Sequence, residues 1–417
     1  MLISREESQP TLAAGASAAR RALALLSTAE LLAMGLWFSA TAILPALTRE
    51  WNLTGASQAW LTMSVQLGFA IGSLVSVVLN LSDILNPRKL FLLCAVAGAV
   101  CTAAIAVFAG GILLTIPMRF FTGMALAGVY PPGMKIMAGW FRTKRGMAVG
   151  ILVGALTVGS ASPHLLNALG GFASWRLVLW IAAVQAALGG LIAFYLVSDG
   201  PYQAPIARFD PGAIKRILSD RPVLLANLSY FGHMWELYAF WAWIPAFLTA
   251  SFAHDGIGNA PHAAGIGAFC AIGIGGLGCW AAGIWADRWG RTTIMIVSLT
   301  ISGLCCLLAG ILFSASPVVV TAVCLVWGFW VVADSAQFST SVTELADPLY
   351  VGTALTLQTG IGFCITLVSI RLIPVLVAKF GWEWAFAPLA AGPALGIYAA
   401  VRLRRTSQAL RLAGGKR

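Results

Sequence analysis

Gly283-Ile284-Trp285-Ala286-Asp287-Arg288-Trp289-Gly290-Arg291-Thr292 closes an apolar run from about Ala263 to Ala286 and leads straight into another. A short turn between two long helices has no conformational need for two arginines and an aspartate. Upstream, Gly267, Ala271, Gly275, Cys279, Gly283 and Asp287 follow one another at i+4, so small residues line one helical face that ends in a carboxylate. Such a face lets a second helix backbone approach closely. Asp287 falls at a helix C-terminus, where the macrodipole disfavours an anion, and it therefore needs Arg288, Arg291 or the N-terminus of a neighbouring helix. The stretch reads as a charged latch between helices, built from Gly283, Asp287, Arg288, Gly290 and Arg291.

Apolar residues make up 59% of the 417 and charged ones 10%, against about 25% charged in soluble domains. This is the composition of a polytopic membrane protein embedded in a lipid bilayer. Apolar runs long enough to span fall near 22–47, 58–82, 90–110, 112–140, 146–170, 176–197, 223–250, 263–286, 292–314, 317–340, 349–375 and 382–401. The fold class expected is an all-α membrane protein of twelve transmembrane helices in two six-helix halves, 22–197 and 223–401. A cytoplasmic N-terminal tail (1–21), a cytoplasmic linker (198–222) and a basic tail (402–417) complete the division.

The net charge of +11 does not point to nucleic acid, because the basic residues flank spans and form no polar patch. Of the 26 Lys and Arg, only Arg49, Arg176 and Lys379 fall in loops assigned outside, and Arg119, Lys135 and Arg371 fall within spans. The positive-inside rule then puts both termini in the cytoplasm and the protein in the plasma (cell inner) membrane. All eight cysteines lie in spans, so neither a disulfide framework nor a metal site is expected, nor is a cofactor.

Landmarks recur at a nearly constant offset: Pro45-Ala46 with Pro245-Ala246, Asp83 with Asp287, Gly123 with Gly328, Gly146 with Gly352 and Trp175 with Trp382. The chain is thus an internal duplication. In the first copy the latch is degenerate, keeping Asp83 and Arg88 but with Leu79 and Ile84 in place of the glycine and the arginine. Gly146, Gly150, Gly154 and Gly352, Thr356, Gly360 form matching i+4 series in spans five and eleven. Gly283, Asp287, Arg288, Gly290, Arg291 and Thr292 together resemble the loop signature of the major facilitator superfamily, and Arg119 with Gly123 in R-F-F-T-G resembles its fourth-helix motif. The resemblance covers residues 22 to 401. It implies parallel repeats with a substrate site between them near the midplane, and helix starts in spans five and eleven that face the opposite half's latch. The antiporter motif of span five, a Gly-Pro pair followed by two glycines, is absent; the chain reads Gly154-Ala-Leu-Thr-Val-Gly159-Ser-Ala-Ser-Pro163.

Charged groups inside spans cost roughly 2.5 to 3.5 kcal/mol at the helix centre, which makes each one a functional candidate. Glu236 lies at the middle of span seven with His233 at i−3 on the same face, so imidazole and carboxylate are expected to meet. Glu30 in span one and Asp334 in span ten, with Gln337 at i+3, are the other candidate proton carriers. Arg119 is the expected anion ligand, while Lys135, some 160° away around an ideal helix, cannot face the same cavity unless Pro131-Pro132 distorts the span. His164 and Trp37 complete the candidate binding residues.

The function expected is secondary active transport of a small solute by alternating access, proton-coupled, with an organic or inorganic anion as first choice and proton-antiport efflux of a drug or metabolite as alternative. An enzyme is not expected, since His233 and Glu236 offer a base but no nucleophile; a receptor that binds without transport stays open. The partners expected are the solute and protons, and the oligomeric state expected is a monomer.

Overall fold

The structure, a computed structural model, describes residues 9–79, 81, 85–141, 145–170, 174–202, 211–347 and 351–417. These are helical almost throughout. Span one runs as Gln9–Met34, Ser39–Ala42 and Leu44–Trp51, and spans two and three as Gly55–Val78 and Pro87–Phe108. Span four is split into Ile112–Leu126 and Tyr130–Trp140, and is followed by spans five (Arg145–Gly170) and six (Trp175–Tyr195). A short helix, Pro211–Ser219, precedes span seven, Arg221–His254. Span eight is Ala260–Gly273 with Gly275–Trp289, nine is Arg291–Ile311, ten is Pro317–Ala333 with Ser335–Leu345, and eleven is Val351–Phe380. Span twelve joins Trp382–Ala385 to Ala391–Arg404, and tight turns over Ser407–Gly415 follow.

Ten of the described helical segments are long and apolar enough to cross a membrane. The broken first span and Arg221–His254, which carries the polar and aromatic run around His233, are the two long helical stretches outside that set. Helix is already present at Gln9, ahead of the position expected from apolarity, since apolarity marks the bilayer and not the end of helical hydrogen bonding.

The duplication is visible in packing. Gly123 of span four lies where a Cβ would run into the carbonyl of Val65 in span two, and Gly328 of span ten meets the carbonyl of Ala271 in span eight in the same way. Spans four and ten also break at corresponding places, between Leu126 and Tyr130 in the first half and between Ala333 and Ser335 in the second. The Pro131-Pro132 pair sits in the first turn after its break, where proline's missing N–H costs least.

Within the first half, spans two and four, three and six, one and six, and one and five pack together; in the second, seven and twelve, nine and twelve, seven and eleven, and eight and ten do. Two seams join the halves, span two against eleven and span five against eight. The pseudo-twofold exchanges these seams. The seam of spans five and eight is closed at both ends, where Cβ atoms on Gly146 and Gly265 would lie 3.1 Å from Asp287 Oδ1 and Ala168, and that of spans two and eleven is closed where a Cβ on Gly55 would lie 3.1 Å from Pro374.

Candidate functional site

Span one unwinds over residues 35–38, where turns replace the i→i−4 ladder; this opens the carbonyl of Trp37 and leaves that of Leu36 to Ser39 and a further donor. Arg119, fully buried in span four, satisfies them. Its Nη1 donates to Leu36 O (2.8 Å) and Ser39 Oγ (3.2 Å), its Nη2 to Trp37 O, and its Nε to Leu61 O of span two (3.4 Å). A guanidinium has five N–H donors, and these contacts all go to groups within the first half. Arg119, expected as an anion ligand, is engaged in fixing the kink that presents Trp37 and Phe38 to the other half.

Those two side chains enter an aromatic cluster that bridges the halves. Trp37 lies 4.9 Å from Phe69 of span two, 5.7 Å from Tyr238 of span seven and 5.5 Å from Phe363 of span eleven, between ring centroids. Phe69 and Phe363 are 4.5 Å apart, Tyr238 and Phe363 5.1 Å, and Phe38 meets Trp241 edge-on at 5.7 Å. These spacings are those of favourable ring pairs. The cluster lies between the two halves, where the resemblance to the superfamily implies a substrate site.

Glu236 and His233 do not meet. Glu236 Oε1 accepts from Trp327 Nε1 (2.6 Å) and Cys306 Sγ (3.2 Å), and its Oε2 accepts from Ser302 Oγ (2.9 Å). Spans nine and ten supply these donors, so this carboxylate is enclosed in the second half. His233 turns instead to the break in span ten, with Nδ1 3.0 Å from Asp334 Oδ1 and Nε2 2.9 Å from Ser335 Oγ. Tyr230 and Phe338 flank the imidazole. The i,i+3 relation puts His233 and Glu236 on one face, but the partners on neighbouring spans decide where each side chain points.

Glu30 is fully buried in the first half, and neither of its oxygens has a hydrogen-bond partner among the described residues. A Cβ on Gly133 of span four would lie 2.8 Å from Glu30 Oε2, so the glycine makes room for it. His164 is buried in span five with Nε2 unpaired among the described residues, and its backbone carbonyl faces Gly265 of span eight. Lys135 lies part-buried beyond the break in span four.

At the latch, Asp287 stands against Gly146 in the first turn of span five, and a Cβ on Gly283 would lie 3.2 Å from Gly146 O. The acid thus faces a helix N-terminus, where the dipole favours it. Arg291 Nη1 is 3.5 Å from Asp287 Oδ1, but its stronger bonds go to Glu344 (2.9 and 2.7 Å) and to Gln337 Oε1 (2.9 Å). Gly290 turns the chain with φ +98°, a conformation that favours glycine. Arg288 is exposed beside it. In the first half, Arg88 makes a bidentate pair with Asp199 at 2.9 Å and donates to Val197 O; Asp83 lies outside the described residues.

The two seams, the exchanged repeats and the latch at a helix start agree with what comparison finds. A sequence profile of the Major Facilitator Superfamily matches residues 26–365. The chain belongs to the Major Facilitator Superfamily. It is 29% identical over 182 residues to a putative uncharacterized transporter, YgaY, of Escherichia coli strain K12, a match spanning 40% of this chain and 42% of that one. The solved structure of a proton:xylose symporter, XylE, bound to 6-bromo-6-deoxy-D-glucose, superposes with a TM-score of 0.72 at 14% identity, covering 93% of this chain and 95% of that one. A nucleoside transporter, NupG, in a mutant form, gives 0.69 at 16% identity, covering 92% and 99%. At such identities the likeness is one of fold.

Several participants carry no sequence signal. Trp327, Ser302 and Cys306 around Glu236, and Tyr238, Phe69 and Phe363 at the centre, are ordinary span residues until the helices are packed. Glu344 differs from these, being a carboxylate two helical turns beyond Gln337 and at the same end as Arg291.

Proposed function

We propose that this protein is a secondary transporter that moves a small organic solute by alternating access, coupled to protons, with its latch end and both termini on the cytoplasmic side of the cell inner membrane. The observation that carries the reading is the aromatic cluster contributed by both halves, Trp37 and Phe69 from one and Tyr238 and Phe363 from the other, where only a rocking of the halves gives access. Inter-half contacts at both ends support alternation. The positive-inside asymmetry supports the orientation.

Arg119 spends its donors on backbone carbonyls, so the anion that is the first choice from sequence loses its ligand. A drug or metabolite, the alternative from sequence, fits the aromatic walls better if it is neutral or cationic. For the proton, the Asp334–His233 pair at the break in span ten is the favoured carrier, with Glu30 second. Glu236 is relieved of that role by its three donors.

The test is uptake into proteoliposomes under an imposed pH gradient, with a panel of organic cations, neutral aromatics, sugars and anions. Accumulation of a neutral or cationic organic solute, lost in Asp334→Asn while counterflow persists, is the expected result. Accumulation of anions alone would return Arg119 to the binding site, and binding without flux of any solute would make the protein a receptor.

A further inference from the structure

Indole N–H groups in this protein commonly find acceptors. Trp140 donates to Ser198 O, Trp235 to Pro388 O, Trp243 to Ile370 O and Trp327 to Glu236. Trp37 and Trp241 depart from this pattern: both are 1% exposed, and neither Nε1 has a hydrogen-bond partner among the described residues. Their rings also cross between the halves, Trp37 onto Tyr238 and Phe363, Trp241 onto Phe38. A third group joins them. Gln66 is fully buried with both amide atoms unpaired among the described residues. Gly68 and Gly72, together with the carbonyl of Val65, mark the face of span two that packs on span four, and Gln66 lies well around the helix from Gly68, at i−3 from Phe69.

Leaving a buried donor unpaired is unfavourable, and native proteins do so rarely. Three such groups on three spans, two of them in the aromatic cluster and Gln66 one helical turn from Phe69, amount to polar capacity held for something that is not protein.

We propose that the transported solute is a planar organic molecule carrying a hydrogen-bond acceptor, its rings held between the Trp37–Phe69 and Tyr238–Phe363 faces and its acceptor met by the Trp37 and Trp241 indoles and the Gln66 amide. An indole N–H only donates, so the complementary group is a carbonyl, ether or aromatic nitrogen and not a hydroxyl or ammonium hydrogen. Rings 4.5 to 5.7 Å apart leave no room for a further ring, so the solute enters when the halves separate on one side. This inference rests on the transport reading and adds the chemistry of the solute to it.

The experiment uses the purified full-length protein in detergent and two probes: N-methyl-4-quinolone, whose ring carbonyl accepts, and N-methylquinolinium, the same bicycle without an acceptor. Binding is read as a ligand-dependent rise in thermal midpoint. The wild type is expected to bind the quinolone more tightly. Gln66→Leu, which keeps every ring, should weaken quinolone binding about tenfold and leave quinolinium binding unchanged, while Trp37→Phe, which also trims the aromatic wall, should weaken the quinolone more than the quinolinium. Equal weakening of both probes, or of neither, overturns the proposal.

A measurement without ligand guards against misfolding. Both Trp37→Phe and Trp243→Phe leave a cavity, but only Trp243→Phe also breaks a hydrogen bond, to Ile370 O, so Trp37→Phe should lower the unliganded midpoint less. If Trp37→Phe falls as far as Trp243→Phe, the Trp37 indole has a protein partner and the site is lost. If neither probe binds but other solutes are accumulated in proteoliposomes, the planar acceptor class is wrong and transport stands; if no solute moves at all, the transport reading fails first.

Discussion

At the scale of single residues, two buried carboxylates of the second half are separated by their surroundings. Glu236 accepts from three donors on two other spans. Replacing it by Gln exchanges hydrogen bonds to a carboxylate for weaker neutral ones, and the NH2 is tolerated only opposite Ser302, whose hydroxyl must turn to Leu299 O and accept. Glu236→Gln is therefore expected to lower the thermal midpoint while the coupling to pH persists. Asp334 has His233 as its near neighbour and no further partner for its oxygens among the described residues. Asp334→Asn should leave the midpoint near wild type and abolish gradient-driven accumulation in proteoliposomes, with counterflow retained. The opposite pattern, coupling lost in Glu236→Gln and kept in Asp334→Asn, would return the proton to Glu236. Arg119 acts through backbone: Arg119→Gln strips donors from the carbonyls of Leu36 and Trp37 and should destabilise by about 2 kcal/mol or more, read as a fall in midpoint whether or not solute is present.

At the scale of elements, the repeated glycines do different work in the two places where they recur. Gly123 and Gly328 set the distance between span pairs inside each half. Leucine at either position should prevent the half from packing, seen as loss of folded protein on size-exclusion chromatography. Gly150 and Gly154 of span five lie on the seam instead, where Cβ atoms would come within 2.8 and 2.9 Å of the carbonyls of Cys279 and Gly276 in span eight. Gly150→Leu should fold, yet hold the seam apart. Electron–electron distance measurements between labels at the latch ends of spans five and eight would show the longer separation gaining population. Gly360, the counterpart of Gly154 in span eleven, has open space around it, so Gly360→Leu is expected to change that distribution little.

At the scale of the whole molecule, the segment after span twelve returns to the latch. Ala409 and Leu412 are fully buried in one cluster with Ile217, Val223, Leu345 and Leu403. Ala413 N donates to Glu344 Oε2, and Lys416 Nζ donates to Asp287 O at 2.6 Å. A Cβ on Gly290 would collide with the carbonyls of Lys416 and Arg417. The segment thus ties down both latch acids' surroundings, sharing Glu344 Oε2 with Arg291 and holding the Asp287 backbone beside the start of span five. Removing residues 407–417 takes away the Lys416 bond to Asp287 O and should weaken the inter-half contact, so that labelling of a cysteine placed at part-buried Met147 becomes faster. Unchanged labelling would confine the segment to a role within its own half.

What the sequence by itself determined is what periodicity and composition can encode: the membrane class, the two repeats, the latch and its acid, and the identity of the few polar groups that spans contain. Gly146 and Asp287 were legible as partners because a small-residue stripe and a helix end are local properties, and the family signature said which half each would face. Only the tertiary structure decided which buried groups pair. His233 and Glu236 share a face, yet each is turned by donors and acceptors on spans nine and ten, at sequence separations of 66 to 102 residues. Arg119 reads as a ligand because its charge is visible in the sequence, whereas the carbonyls that occupy it are presented by unwinding over residues 35–38, for which Gly35 is a weak local sign. The aromatic cluster was illegible for the same reason: Phe69, Tyr238 and Phe363 are apolar residues among apolar residues, and they become a site only because the seams between the halves bring three separate spans to the same depth beside Trp37.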